Sequence, residues 1–400
     1  MKKRIYFDNN ATTFAIPEVI ELMAVTARTL CGNPSSVHSA GQEAKAALEE
    51  SREKIASLLG AAKSSEIVFT ASGTESDNTA IKGAAFANRS RGNHIITTLV
   101  EHHAVLNTCE YLSREHGFEI TYLPVDTHGL VDPADVEKSL RDTTVMVSVM
   151  HANNEIGTIE PVEEIGRLLK NANRRREAAS KPRALYHVDA VQSAGKIDIN
   201  VQKMGVDFLS VSAHKFYGPK GVGCLYASSG ADFHPLLHGG HHEGNRRAST
   251  ENVAGAVAMA RALELGVASA AQDGAKILSL RQKLESGILS AISDVRVNGH
   301  PSERLAGTLN AAFDYLDGES LVVALDMEGV CVSTGSACAS GSTDPSHVIT
   351  AIGCPPALAR GSIRFSLGKF NTEREVDNVL AILPPAVKKL RAISPLYKSK

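Results

Sequence analysis

The chain has 400 residues, 43% of them apolar, which suits two or three folding units with large buried cores. Lysine and arginine total 42 against 44 acids, and the formal net charge of -2 excludes a global electrostatic footprint for nucleic acid or a membrane surface. The 6 cysteines stand far apart with no Cys-x-x-Cys pair, which excludes a disulfide framework or zinc ribbon and points to reduced thiols in a cytoplasm.

In the N-terminal run MKKRIYFDNNATT, Asp8 arrives before any apolar core can form, so no export signal is read there. From residue 66 onward the runs EIVFT, HIITTLV, EITYLPV, TTVMVSVM, ALYHVDA, VDFLSVSA and GVGCLYA alternate with helical stretches such as TESDNTAIKGAAFANRS. Near-continuous apolar strands separated by helices predict an α/β architecture, with parallel strands joined by helical crossovers and both sheet faces covered. Before ALYHVDA, the basic segment NANRRREAASKPR (171–183) reads as an insertion. It is expected to be a solvated helix end and loop, with a docking site for an acidic partner as the other reading. The alanine-rich stretch 251–265 predicts a long helix, and Arg261 and Glu264 within the apolar run 253–271 argue for a packed helix over a membrane span. The pattern then changes to a helix around 276–293 and the strands VRVNG, GTLNAAF and GSIRFSL, so a domain change is placed near residue 262.

Several residues fall where this architecture binds ligands. In ASGTES, after the strand EIVFT, Gly73 lets backbone N–H groups approach an anion, Thr74 offers a hydroxyl, and the helix N-terminus adds favourable partial charge. A plain helix cap is the alternative there. His102 follows HIITTLV at the same sheet edge, where an imidazole can stack on a flat ring and move protons. Asp189 ends ALYHVDA, and a carboxylate buried at that edge needs a positive partner such as a protonated pyridine nitrogen. Lys215 in SVSAHKFYGPKG follows VDFLSVSA, placing an amine where a Schiff base can form, with Ser212 and His214 beside it as phosphate donors. An acid on the ring nitrogen and a Schiff-base lysine together point to pyridoxal 5'-phosphate (PLP).

Two groups come later in the chain. Cys338 lies in VSTGSACASGSTDPS (332–346), which reads as a mobile loop carrying one nucleophilic thiol. The other cysteines occupy helical or strand-like windows and are expected to be buried and inert. Arg364 lies inside the strand GSIRFSL, where its planar fork suits the carboxylate of an amino-acid substrate or a structural ion pair. His238, His241, His242 and Glu243 have spacing reminiscent of metal ligands, but in a glycine-rich loop no metal is expected.

The motifs YFDNNATT, GNPSSVH, SGTESDN, EHHAVL, NNEIGT, HVDAVQ, SAHKFYGPKG, RRASTENV, STGSACAS and SIRFSLG, in this order, resemble the cysteine desulfurases of the NifS/IscS-like group, PLP enzymes of the class-V aminotransferase type. That resemblance implies the fold type I of PLP-dependent transferases: a large domain (15–261) with a mostly parallel seven-stranded sheet, and a small α+β domain (1–14 and 262–400) carrying the cysteine loop. It implies a cytoplasmic homodimer that converts L-cysteine to L-alanine. Sulfur would leave as a persulfide on Cys338 for an acceptor such as an iron-sulfur scaffold or a tRNA-thiolation carrier. A selenocysteine lyase, or another β-eliminating enzyme of the same fold, is the alternative. By motif position Lys215 would hold the cofactor aldehyde, His102 would stack on the ring and serve as acid/base, Asp189 would pair with the pyridinium, and Gln192 would contact the ring oxygen. Asn154 would touch ring and substrate; Gly73, Thr74, Ser212 and His214 would hold the phosphate with Thr250 of the other subunit; Arg364 would bind the substrate carboxylate. No resident metal, direct nucleic-acid contact or membrane contact is implied, although Cys338 could touch an iron-sulfur cluster in passing. Two departures stand out: Ser249 where the family usually has glycine, which matters if that position needs positive φ, and His242 where glutamine is common.

Overall fold

The computed structural model of the chain describes residues 4–334, 345–395 and 397. Seven strands form one sheet in the order Ile67–Thr70, Gly223–Ala227, Phe208–Ser212, Leu185–Asp189, Thr144–Ser148, His94–Thr98, Glu119–Leu123. Apart from the edge strand Glu119–Leu123, all are buried along their length, as apolar runs covered on both faces must be. Gly223–Ala227 departs from the expected parallel pattern, pairing antiparallel with both neighbours. Its connection from Phe208–Ser212 is too short to hold a crossover helix, and only an antiparallel return fits. The chain leaves His94–Thr98 towards the edge strand Glu119–Leu123 and returns on its other side to Thr144–Ser148. This reversal opens a crevice at the strand ends, the usual ligand position in such sheets.

A second, antiparallel sheet has Thr308–Phe313 between Val295–Asn298 and Ser362–Ser366. The N-terminal strand Ile5–Tyr6 pairs parallel with Val330–Cys331, and Asp8 bridges to Ser366, so the first residues join this second unit. Each sheet has its own apolar core.

The sequence suggests two helices, at 251–265 and around 276–293; the structure has one, Val253–Ala291, of 39 residues. No proline interrupts it, and its four glycines, Gly255, Gly266, Gly274 and Gly287, each cost only about 1 kcal/mol among many good helix formers. Ala256, Met259 and Leu263 pack into the core of the large sheet, and Leu280, Leu284 and Ile288 into that of the small one. It is the one helix among the described residues long and apolar enough to cross a membrane, and half of its most apolar window is buried.

The basic segment 171–183 also differs from expectation. The helix Val162–Ala178 runs through it, and Arg176 is buried, donating to the carbonyls of Arg141 (2.6 Å), Thr144 (2.7 Å) and Pro182 (2.7 Å). One of these three adjacent arginines therefore ties down loop backbone; it is not part of a solvated face.

Candidate active site

The phosphate-side residues gather where three segments meet. Ser72 caps the helix Gly73–Ala87 by accepting from the Glu75 amide at 3.1 Å. At Gly73 a Cβ would stand 2.5 Å from Val191 Cγ2, so only glycine allows this helix start to approach the Asp189 loop so closely. Thr74 borders the same cavity, as does Ser212 at the end of its strand. His214 Nδ1 lies 3.1 Å from Thr12 Oγ1; burial, then the Lys215 charge, lower its pKa to about 4 and leave it a neutral hydrogen-bonding group at pH 7.

Lys215 sits on a single 3-10 turn, Ala213–Lys215, and its Nζ donates to the carbonyls of Asn10 (2.6 Å) and Ala11 (2.9 Å). Asp189 is 5% exposed and accepts from the Val191 amide at 2.9 Å. Burial and then the neighbouring Asp77 carboxylate raise its pKa to about 7. Such a carboxyl gains most from a cationic partner in the cavity. Gln192 donates to the Asn10 carbonyl at 3.0 Å and accepts from Lys196 Nζ at 3.3 Å. His102 caps the helix His103–His116, its Nδ1 accepting from the Ala104 amide at 3.1 Å, which leaves the ring proton on Nε2. Burial, followed by the Lys215 charge, lowers its pKa to about 4.

Arg364 enters from the other sheet. Its Nη2 pairs with Asp8 Oδ1 at 2.9 Å and its Nη1 donates to the Asn154 carbonyl at 3.0 Å. Together these groups line one cavity of about 290 Å3, which Asn154 also borders. Thr250 is exposed and outside this lining. Cys338 lies outside the described residues, but both roots of its segment are visible. Ser333 exchanges backbone hydrogen bonds with Arg364 at 2.6 and 3.2 Å. On the far side Ser346 donates to the buried Glu155 carboxylate at 2.6 Å, and His347 Nε2 lies 2.9 Å from the Glu101 carbonyl.

Sequence reasoning missed Asn10, Asp77, Asp8 and Glu155. The string DNNATT was visible, but nothing local says that the Asn10 carbonyl meets a lysine 205 positions away. Asp77 is fully buried on the helix Gly73–Ala87, 3.5 Å from His187 Nε2. Expectations for the cysteines need two corrections: Cys109, Cys224 and Cys354 are buried, whereas Cys31 is exposed and Cys331 is half-buried. Glu243 forms a two-point ion pair with Arg52 at 2.6 and 2.8 Å. Ser249 has φ of 109°, so the backbone does take the glycine-favouring region at that departure. Its amide donates to His242 Nδ1 at 3.3 Å, which links the two departures to each other.

Residues 5–379 match the family model described as aminotransferase class-V. The chain belongs to this family. It is similar to a protein named cysteine desulfurase IscS from Dictyoglomus turgidum, 50% identical over 100% of this chain and 98% of that one. A protein of the same name from Methanosarcina thermophila is 48% identical over 98% of this chain and 94% of its own. Among solved structures, one named NifS-like protein superposes with a TM-score of 0.89 at 41% identity, covering 97% of this chain and 100% of that one. The seven-stranded architecture is that of PLP-dependent fold type I.

Proposed function

We propose that the chain is a cysteine desulfurase that converts L-cysteine to L-alanine and transfers the sulfur through Cys338. The observation that carries this reading is the attachment of both roots of the Cys338 segment next to residues of the Lys215 cavity, at Ser333 on the Arg364 backbone and at His347 on the Glu101 carbonyl, one residue before His102. Cys338 is four residues from Thr334, so chain length alone keeps the two Cα atoms within roughly 15 Å.

The cavity residues fit PLP. Gly73, Thr74, Ser212 and His214 would hold its phosphate, Asp189 its ring nitrogen and Lys215 its aldehyde carbon. The raised pKa of the buried Asp189 is the feature that asks for such a cation. When bound, the cofactor supplies an electron sink for charge developing at the substrate α-carbon. Arg364 would bind the substrate carboxylate with Asn154 alongside, Lys215 would move the α-proton, and Gln192 would contact the ring oxygen. His102, neutral with its proton on Nε2, would lie against the ring and could donate a proton near the substrate sulfur. The Cys338 thiolate attacks that sulfur; an S–S bond forms, the C–S bond breaks, and protons restore the methyl group of alanine. The thiol sulfur is oxidised and the substrate β-carbon reduced, so no external oxidant enters.

The working unit is a homodimer in the cytoplasm, in which Thr250 serves the cavity of the other subunit and the persulfide goes to an acceptor protein such as an iron-sulfur scaffold. The exposure of Thr250 outside its own cavity supports this arrangement. The unit of the seven-stranded sheet carries the cofactor, and the unit of the three-stranded sheet carries Arg364 and one root of the cysteine segment. The test is to incubate the PLP-loaded protein with L-cysteine, quantify alanine and map the persulfide by mass spectrometry. Stoichiometric sulfur on Cys338, with alanine formation lost in Cys338→Ala, is expected; a Cys338→Ala protein that still makes alanine at the parent rate identifies a lyase that needs no persulfide on this thiol, and one that makes pyruvate instead of alanine identifies a β-eliminating enzyme.

A further inference from the structure

Behind the catalytic cavity, between the long helix Val253–Ala291 and the three-stranded sheet, lies a second cavity of about 210 Å3. Asn10 borders both, and its carbonyl is the acceptor for Lys215 and Gln192. The second cavity has a basic wall: Lys196, Arg304 and Lys369 line it against a single acid, Asp273. Asp273 itself accepts from Ser269 at 2.7 Å, and Lys369 lies over the Tyr217 ring at 4.6 Å.

Arg304 is the unusual member. Its side chain is 3% exposed, and its Nη2 reaches Glu285 at 2.8 Å. The same carboxylate faces Arg281 at 3.6 Å, whose side chain is 5% exposed. Nε and Nη1 of both arginines make no hydrogen bond among the described residues. One carboxylate for two buried guanidinium groups leaves a positive charge uncompensated, and a buried charge without a counter-charge is strongly destabilising. Lys196 adds to the imbalance: its ammonium makes no ion pair among the described residues and donates only to the neutral Gln192 amide at 3.3 Å. Burial, then the charges of Lys215 and Arg364, lower its pKa to about 7, so an anion beside it would restore its charge.

We propose that this second cavity binds a small oxyanion, the carboxylate of an organic acid or an inorganic oxyanion, between Arg304 and Lys196. The site does not depend on the reaction assigned above. Occupancy is felt at the catalytic cavity, because the anion competes with the Gln192 side-chain oxygen for the Lys196 ammonium, and Gln192 shares the Asn10 carbonyl with Lys215.

Crystals of the PLP-loaded protein soaked separately in selenate and in bromoacetate test this directly. An anomalous peak within hydrogen-bond distance of Arg304 Nε or Nη1 is expected in at least one soak, and which soak gives it tells an inorganic anion from an organic acid. No peak in either soak, or a side chain of a second copy filling the cavity, overturns the proposal. In solution, sodium sulfate or sodium acetate at millimolar concentration should raise the melting temperature of the PLP-loaded protein above that in sodium chloride of equal ionic strength. Lys196→Gln should lose at least half of that shift, and Arg304→Gln, if it folds, should lose all of it. A peak without any shift means binding at crystal concentration only, and a full shift in Lys196→Gln places the anion elsewhere; either result rejects the site.

Discussion

The two poles of the catalytic cavity are built differently. Asp189, Ser212, Lys215 and His102 follow or close strands of the seven-stranded sheet, so the local chain path delivers them to one edge. Arg364 lies in the middle of Ser362–Ser366 and is oriented by Asp8 and the Asn154 carbonyl, 356 and 210 residues away. A strand end places a functional group by itself. A charge buried within a strand is kept only if distant parts of the chain supply its partners, so the substrate pole is placed by tertiary contacts, whereas at the cofactor pole long-range contacts such as Lys215 to Asn10 secure groups that strand ends have already brought to the edge.

That contrast can be broken experimentally, and the largest effect belongs to the cofactor pole. Lys215→Ala should reduce alanine formation to background and remove the covalent cofactor while the far-ultraviolet circular dichroism stays unchanged; turnover near the parent rate would contradict the role assigned to this amine. At the substrate pole, Arg364→Ala should raise KM for cysteine about 10- to 150-fold, since a charged hydrogen bond contributes roughly 1.5 to 3 kcal/mol. Asp8→Asn should raise it by less, and equal KM in all three proteins would show that the carboxylate is bound elsewhere.

A pH series separates the poles further. Asp189 is raised from 3.8 to about 7, so the folded protein without cofactor holds this proton more tightly than the unfolded chain. Its contribution to stability is complete below the unfolded value and is lost as pH rises towards the folded one. The melting temperature of the cofactor-free protein should therefore fall between pH 4 and 7 by more than that of Asp189→Asn, and PLP affinity should rise over the upper part of this range as the carboxylate charges. A PLP affinity that is flat with pH in the parent protein counts against Asp189 as the partner of the ring nitrogen. The smallest effect lies outside both poles. Ser249→Gly relieves a φ of 109° and should stabilise by about 1 kcal/mol, seen as a small rise in melting temperature. Combining it with His242→Gln should give a non-additive result, because the Ser249 amide donates to the His242 ring.

Much of the cofactor pole is legible in the sequence. Apolar strand runs, small-residue turns and the polar groups directly behind them are local features, and each lies within a few residues of the element that positions it. Thr250 shows the opposite limit: its position in the chain suggests a role, but its own chain leaves it outside the cavity.

Sequence alone determined the α/β class, the strand runs, and the positions of Asp189, Lys215 and His102 at strand ends, because hydrophobic periodicity and turn chemistry act over neighbouring residues. Only the tertiary structure decided that Gly223–Ala227 runs antiparallel, that one helix spans both cores, that Arg176 is buried, and that Asn10 separates two cavities. These depend on which polar groups lose water and which distant partners replace it, and that balance is struck between segments hundreds of residues apart.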